Sequence, residues 1–445
     1  MARLPLPRNP AQAVVAGFAA AILIGTALLM LPGARAGAGG APLEVAMFTA
    51  TSAVCVTGLT VVDTAVYWSD LGHAIIALLI QVGGFGIVTS AALLVILVGR
   101  RIGLRTSILT QAEAGALRLG DVRRVVLGVA VLTLAAEVAT TLVLAGRFWL
   151  GYHLGPGEAL WQGAFHAISA YNNAGFALFS DSLVGFATDG WILVTIALAV
   201  IIGSLGFPVW LDLWRLPAAP RRWSLHTKLT LVATAILIVL GTAAMWLFEW
   251  NHPETLGGVS VPGRLLVGFF NAVTPRTAGF NAVDYADLEP ETLFVTDILM
   301  FIGGGAGSTA GGIKTATLAL LALMVLAEIR GRPEVTAFGR RIPGVAQRQA
   351  LSVALLGIAA VVAATLALMA VSPFRLSEAL FEVLSAFGTV GLSTGITADL
   401  PTSGQALLGA MMFVGRVGPL TLGVALLMRE SRPLYQYPEE RPIIA

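Results

Sequence analysis

The chain has 445 residues, 57% of them hydrophobic and only 12% charged, against about 25% charged in an average soluble domain. Its net charge is +2, its mean hydropathy is +0.84, and its single cysteine is Cys55. These values exclude a soluble enzyme, a disordered chain, a disulfide-stapled secreted module and a basic nucleic-acid binder, and they leave a polytopic membrane protein bathed in lipid.

In chain order, apolar runs predict eight spanning helices at 11–32, 72–99, 124–146, 190–214, 227–249, 294–328, 350–371 and 404–428. The first ends in Gly33-Ala34-Arg35-Ala36, which imitates a signal cleavage site. Its apolar core is too long for a signal peptide, so it reads as a retained helix. Arg3 and Arg8 precede it, and Arg100, Arg101, Arg105, Arg118, Arg123 and Arg124 lie between the second and third runs. Arg215, Arg221, Arg222 and Lys228 follow the fourth run, and Arg330, Arg332, Arg340, Arg341 and Arg348 follow the sixth. Arg429, Arg432 and Arg441 lie near the end of the chain, and only Arg35, Arg147, Arg264 and Arg375 fall in the opposite connections. The positive-inside rule then puts both termini in the cytoplasm. Arg276, Lys314 and Arg416 are left at membrane depth.

Each external connection carries a short segment that starts at a Phe and reaches a Gly ten residues later. The pairs are Phe48 with Gly58, Phe165 with Gly175, Phe269 with Gly279, and Phe381 with Gly391. A second echo follows in the next helix, at Gln81-VGGFG, Ile202-GSLGFP, Phe301-IGGGAG and Phe413-VGRVGP. Two phased motifs in four copies define an internal repeat. The quarters fall at 1–100, 101–215, 216–330 and 331–445. Each reads as a helix, a short re-entrant helix of about ten residues, an extended stretch at the glycine, and a second helix. The predicted fold is therefore all-α, with four M1–P–M2 repeats around a central pore. Glu44, Glu158 and Glu378 lie near the starts of the short helices, where a helix dipole favours negative charge.

The residues at the glycines share no side-chain chemistry. They are Cys55, Val56, Thr57 and Gly58; Asn172, Asn173, Ala174 and Gly175; Arg276, Thr277, Ala278 and Gly279; and Gly388, Thr389, Val390 and Gly391. What four such stretches share is backbone, and rings of backbone carbonyls replace the hydration shell of a monovalent cation. Taken singly, each glycine reads as a simple chain turn. A divalent ion would call for carboxylates, and none lies in these stretches. Asp63, Asp181, Asp284 and Asp399 follow the glycines and read either as outer-mouth charges or as ordinary solvated loop residues.

The sixth run contains Gly303, Gly304, Gly305, Ala306, Gly307, Ser308, Thr309, Ala310, Gly311 and Gly312, followed by Lys314. So many small residues predict a broken helix with a loop beneath the glycines. Arg416 lies mid-helix, and a charge there calls for a polar partner. It is expected either to hydrogen-bond the 303–312 loop and help hold it across the pore, or to pack on the loop carbonyls with no gating role. Lys314 either caps the broken helix or places a positive charge beside the ion path. Arg276 is expected to point away from the ion, toward carbonyls or carboxylates behind it. Glu137 reads as a hydrogen-bonded packing residue, and none of the five histidines is spaced as a metal pair.

Two other motifs fail. Ile313 separates Gly312 from Lys314, which breaks a phosphate-binding loop, and no βαβ setting supports a dinucleotide fingerprint at 305–310. An intramembrane serine protease built on Ser308 lacks a histidine at its depth. An alternating-access carrier would be expected to use inverted repeats, whereas these four run in one orientation.

The stretches 51–64, 81–89, 165–176, 271–281, 303–315, 385–397 and 414–422 carry a family resemblance over essentially the whole chain. The chain resembles the Trk/Ktr/HKT superfamily of cation transporters, and within it the ion-translocating subunits of bacterial Ktr systems. That resemblance implies potassium uptake across the bacterial plasma membrane through a pore selected at Gly58, Gly175, Gly279 and Gly391. It also implies that the 303–312 loop is a gate contacted by Arg416. It further implies a homodimer with one pore per subunit. A cytoplasmic KtrA-type ring would bind ATP, ADP or NAD(H), since no organic cofactor is expected on this chain. Within the superfamily, serine at the first glycine goes with sodium transport. Gly58 therefore favours potassium, and a sodium-permeable or sodium-coupled transporter of the same superfamily stays open. The basic connections 100–124 and 328–348 and the C-terminal tail are where the ring would dock.

Overall fold

Helices follow the apolar runs wherever the computed structural model describes the chain, which is at residues 10–102 and 119–418. Arg3, Arg8, Arg105, Arg118, Arg429, Arg432 and Arg441, with most of the 100–124 connection and the C-terminal tail, lie outside the described residues. The expected ring docking at the 100–124 connection and the C-terminal tail falls mostly on them, whereas the 328–348 connection is described.

The described residues form fifteen α-helices and one two-residue hairpin that pairs Thr336–Ala337 with Arg340–Arg341. The first two quarters hold α1 (Pro10–Leu29), α2 (Leu43–Cys55), α3 (Thr64–Tyr67), α4 (Asp70–Ile102), α5 (Leu119–Tyr152), α6 (Pro156–Asn172), α7 (Gly190–Leu205) and α8 (Phe207–Arg215). The last two hold α9 (Leu225–Glu249), α10 (Val261–Val273), α11 (Pro290–Phe301), α12 (Thr315–Ile329), α13 (Gly344–Val371), α14 (Leu376–Gly388) and α15 (Thr402–Val417).

Among the described residues, four helices are individually long and apolar enough to cross a membrane, within α1, α5, α9 and α13. Their outward faces are apolar. On α9 alone, Val232, Ile236, Val239, Leu240 and Leu247 are exposed, a stripe that water would not tolerate but lipid does.

The run at 190–214 differs from the single straight helix expected there. It bends by 93° between α7 and α8, and the pair makes a fifth crossing if counted as one span. Gly206 sits at the break with φ 89° and ψ 149°, and Pro208 follows in the first turn of α8. Glycine accepts that backbone conformation, and proline suits a helix start because it has no N–H to satisfy. The same backbone recurs at Gly418, φ 88° and ψ 135°, where α15 ends. The 294–328 run is divided as expected, into α11 and α12 with the loop between them.

The short helices α2, α6, α10 and α14 have 13, 17, 13 and 13 residues. They are longer than expected, yet still short of the roughly twenty residues a bilayer requires. Helices α2, α6 and α14 each pack between the longer helices that flank them in the chain, whereas α10 packs on α9 before it and on α7. The quarters then join in order, α4 against α6, α7 against α10, α11 against α14, and α15 against α2. The last contact returns to the first quarter and closes the arrangement.

The second echo of the sequence explains this closeness. A side chain at Gly83, Gly203 or Gly415 would collide with the carbonyl of Val54, Tyr171 or Phe387 respectively. Each of those carbonyls lies four residues before a repeat glycine. The motif glycines therefore let the second helix of three quarters touch the backbone of a short helix.

Candidate functional site

The last turns of the short helices converge on the four glycines. After α2, α6 and α14 comes one left-handed residue, Val56, Asn173 or Thr389, at φ 56°, 61° and 51°. In the third quarter α10 ends earlier, and Thr277 holds the same place at φ 77°. Two residues on from each, Gly58, Gly175, Gly279 and Gly391 have φ 94°, 71°, 74° and 98°. At these four positions the left-handed φ and the backbone of the neighbouring segment both favour a residue without Cβ.

This backbone turns its donors back on the helix. Thr57 N donates to the Ser52 carbonyl (2.8 Å), Ala174 N to Ser169 (2.7 Å), Ala278 N to Thr274 (2.8 Å) and Val390 N to Ser385 (2.8 Å). Gly58 N and Gly391 N donate to the hydroxyls of Ser52 and Ser385, at 3.0 and 3.1 Å. The carbonyls just before the glycines are directed sideways. Ala174 O lies where a side chain on Gly58 would stand, Val390 O and Thr57 O do the same at Gly279 and Gly391, and at Gly175 the Cβ position is 2.9 Å from Gly279 Cα and 3.0 Å from Ala278 O. The four segments thus form one closed ring, in chain order. Above it opens a cavity of about 240 Å³ lined by all four glycines, with Asp63 and Ser393 on its wall.

Apart from the half-buried Gly175 and Gly391, the four segments are buried, including Cys55, Thr57, Asn172, Ala174, Ala278, Gly388 and Val390. Among the described residues, no three His, Cys, Asp or Glu side chains are grouped to hold a metal ion. What the ring offers is carbonyl oxygen together with the negative ends of helix dipoles, which is chemistry for a dehydrated monovalent cation.

Side chains fix the segments from behind. Asn172 Nδ2 donates to Glu137 Oε1 at 3.0 Å and to Gln81 Oε1 at 2.8 Å, and Gln81 Nε2 donates to Glu137 Oε2 at 3.1 Å. Glu137 therefore ties α4, α5 and α6 together. Asn173 Nδ2 donates to Thr277 Oγ1 at 3.1 Å and links the second segment to the third. Arg276 points away from the ring, but its partner corrects the expectation. Its Nη2 donates to Thr234 Oγ1 on α9 at 3.2 Å, a hydroxyl in place of a carbonyl or carboxylate.

The 303–312 loop lies on the opposite side of the ring from the cavity. Gly303 N donates to the Ile313 carbonyl at 2.8 Å, which closes the loop at its base. Gly305 N donates to the Ser204 carbonyl at 2.8 Å, and Phe207 N donates to the Gly307 carbonyl at 3.1 Å. The loop is thereby docked on the α7–α8 break, with Gly304 and Ala306 in the same contact. Gly311 and Gly312 pack against Thr389 and Gly388 of the fourth segment. Ser308 Oγ bonds the Gly305 carbonyl at 2.6 Å, inside the loop. Lys314 Nζ reaches the carbonyls of Ala310 (2.5 Å) and Gly311 (3.3 Å). Arg416, buried on α15, donates from Nη1 to the Thr309 carbonyl and from Nη2 to the Gly83 carbonyl at 3.0 Å. One guanidinium so joins the loop, α15 and α4.

The four carboxylates after the glycines divide. Only Asp63 lines the cavity. Asp63, Asp181 and Asp284 accept from the backbone N–H of Ala65, Gly185 and Ala286 at 2.9–3.0 Å, which is turn capping. Two histidines to which sequence reasoning assigned no role hold backbone: His73 Nε2 lies 2.8 Å from the Thr64 carbonyl, and His166 bridges α6 to Leu178.

Comparison with known proteins agrees with this architecture. A family model described as TrkH, a cation transport protein, matches residues 7–436. The chain is 38% identical to the Ktr system potassium uptake protein B of Bacillus subtilis, over 97% of this chain and 96% of that protein. It is 36% identical to the protein of the same name from Vibrio alginolyticus, over 96% and 93% of the two chains. The potassium/sodium uptake protein NtpJ of Enterococcus hirae is 34% identical over 97% and 96%. Among solved structures, the potassium transporter TrkH of Vibrio parahaemolyticus superposes with a TM-score of 0.74 at 18% identity, covering 96% of this chain and 86% of that one, a likeness of fold. With apolar helices wrapped around a glycine ring and a match along nearly its whole length, the chain is a multi-pass membrane protein that belongs to the TrkH family of cation transport proteins.

Proposed function

We propose that this chain takes up potassium across the bacterial plasma membrane, the ion passing along the axis of the four-glycine ring and losing its water to the carbonyls around it. The observation that carries the reading is the ring itself, four segments with one backbone geometry and no shared side chain. The names of the Ktr relatives, potassium uptake proteins, support the choice of ion. Each quarter acts as one M1–P–M2 unit, within the boundaries 1–100, 101–215, 216–330 and 331–445. The 303–312 loop is the gate, and Arg416 and Lys314 hold it closed through its carbonyls. Both termini are cytoplasmic, two copies form a homodimer, and a KtrA-type ring that binds ATP, ADP or NAD(H) sets the gate. The name of the Enterococcus relative, which pairs potassium with sodium, favours a second reading in which sodium also passes.

The test is growth of a bacterium without its own potassium uptake systems, at micromolar to low-millimolar potassium. It would carry this chain with and without a KtrA-type partner. Rescue is expected with the partner, and leakier uptake after deletion of residues 305–311. Absence of rescue in every pairing, with the protein present in the membrane, would refute potassium uptake, and sodium uptake would then be measured in the same cells.

A further inference from the structure

The position just after the repeat Phe holds Thr49, His166, Phe270 and Glu382 in the four quarters. In the second and fourth it is a fully buried titratable side chain, nine residues before the glycine. Both reach across to the strand that leaves the ring, and they reach the same place. His166 Nε2 accepts from Leu178 N at 3.3 Å, and Glu382 Oε1 accepts from Thr394 N at 3.2 Å, each three residues beyond its glycine.

Each anchor is reinforced. His166 Nδ1 is 2.7 Å from the Gln162 carbonyl, where it can only donate, and this leaves Nε2 as the acceptor. Its ring stacks on Phe179, with centroids 4.9 Å apart. Glu382 also accepts from Ser393 Oγ at 2.5 Å and from Thr397 Oγ1 at 2.8 Å. Ser393 and Phe179 line the cavity over the glycines. The other two strands are held by different means. His73 on α4 reaches the Thr64 carbonyl in the first, and in the third Asn281 exchanges bonds with Ser182 and Leu183 of the second.

We infer that His166 and Glu382 are a matched pair of positioning residues, set opposite one another in the ring, that fix the outward strands of the second and fourth segments and so set how finely the ring separates potassium from sodium. The inference rests on the proposed role of the ring as the ion filter. A carbonyl cage discriminates by the spacing and number of its oxygens, and both depend on what holds the strands that carry them. Neither side chain lines the cavity over the glycines, so discrimination should fall while throughput survives.

The experiment is uptake of potassium and sodium by proteoliposomes containing the full-length protein, as wild type, Glu382→Ala, Glu382→Gln, His166→Phe and Gly58→Ser. Glu382→Ala removes three hydrogen bonds to a carboxylate and is expected to lower the potassium-to-sodium ratio about tenfold, with maximal flux within about twofold. Glu382→Gln keeps the volume and one acceptor oxygen, so a fall of about threefold is expected. His166→Phe keeps a ring against Phe179 but loses the acceptor, and the ratio should fall by a similar factor. Should the alanine variant not insert, the glutamine and phenylalanine variants decide. An unchanged ratio in every transporting Glu382 and His166 variant, beside a changed ratio in Gly58→Ser, overturns this inference alone. An unchanged ratio in Gly58→Ser as well overturns the filter reading on which it stands.

Discussion

Substituting serine for Gly58 gives the sharpest test of the ring. The new Cβ would have to form at φ 94°, in the left-handed region, at a cost of about 1–2 kcal/mol for a residue with a side chain. It would also collide with the Ala174 carbonyl oxygen and lie 3.0 Å from Gly175 Cα. Relief requires that carbonyl to swing away, and it is one of the ring's own oxygens. Loss of about 1.4 kcal/mol of ion coordination corresponds to a tenfold weaker apparent affinity. That lies within the strain imposed. We therefore expect potassium affinity about tenfold weaker and a potassium-to-sodium ratio moved toward one, measured as initial uptake rates in cells depleted of potassium. Gly39→Ser is the control, because Gly39 has φ 81° but no atom within 4 Å of its Cβ position. It incurs the backbone penalty without touching a carbonyl. Wild-type affinity and selectivity in Gly58→Ser, or an equal change in Gly39→Ser, would refute the reasoning.

Arg416→Ser releases the Thr309 and Gly83 carbonyls together, and uptake without any cytoplasmic partner is expected to rise about threefold or more, since each bond to a charged donor is worth about 1.5–3 kcal/mol. Unchanged conductance and apparent affinity would remove Arg416 from gating. At the start of α7, Asp189 caps Trp191 N and accepts from Arg147 Nε (2.7 Å) and Tyr152 OH (3.0 Å). Burial pushes its carboxyl upward, but those bonds outweigh it and hold the group below the ordinary aspartate value of 3.8. Its contribution to stability is therefore complete above pH 3.8 and is lost as the pH falls through the lower folded value. Thermal unfolding of the purified protein between pH 7 and 3 should show that loss in the wild type and not in Asp189→Asn, which should be less stable at pH 7. Parallel acid profiles for the two proteins would exclude the effect.

Membrane class, helical fold and the four glycines were legible because each is written locally. Hydropathy marks a lipid-facing helix residue by residue, and a backbone that must turn left-handed calls for glycine wherever it occurs. The break at 303–312 was equally visible, since ten small residues in a row cannot sustain a helix. The break at Gly206 carried a signal as well, because Pro208 follows two residues later, but the surrounding run is apolar enough to read as one continuous span.

Tertiary structure decided the partners. Arg416 meets Gly83 across 333 positions of chain, and Asn172 meets Gln81 across 91. Nothing in a local pattern distinguishes a buried arginine that will find carbonyls, as Arg416 does, from one that will find a hydroxyl, as Arg276 does at Thr234. The same holds for His166 and Glu382, different residues at one repeat position, whose common task appears only when the strand beyond the glycine folds back onto them. Burial in a membrane is dictated by composition. Which polar groups satisfy one another inside it depends on how the four quarters close, and that closure is a property of the whole chain.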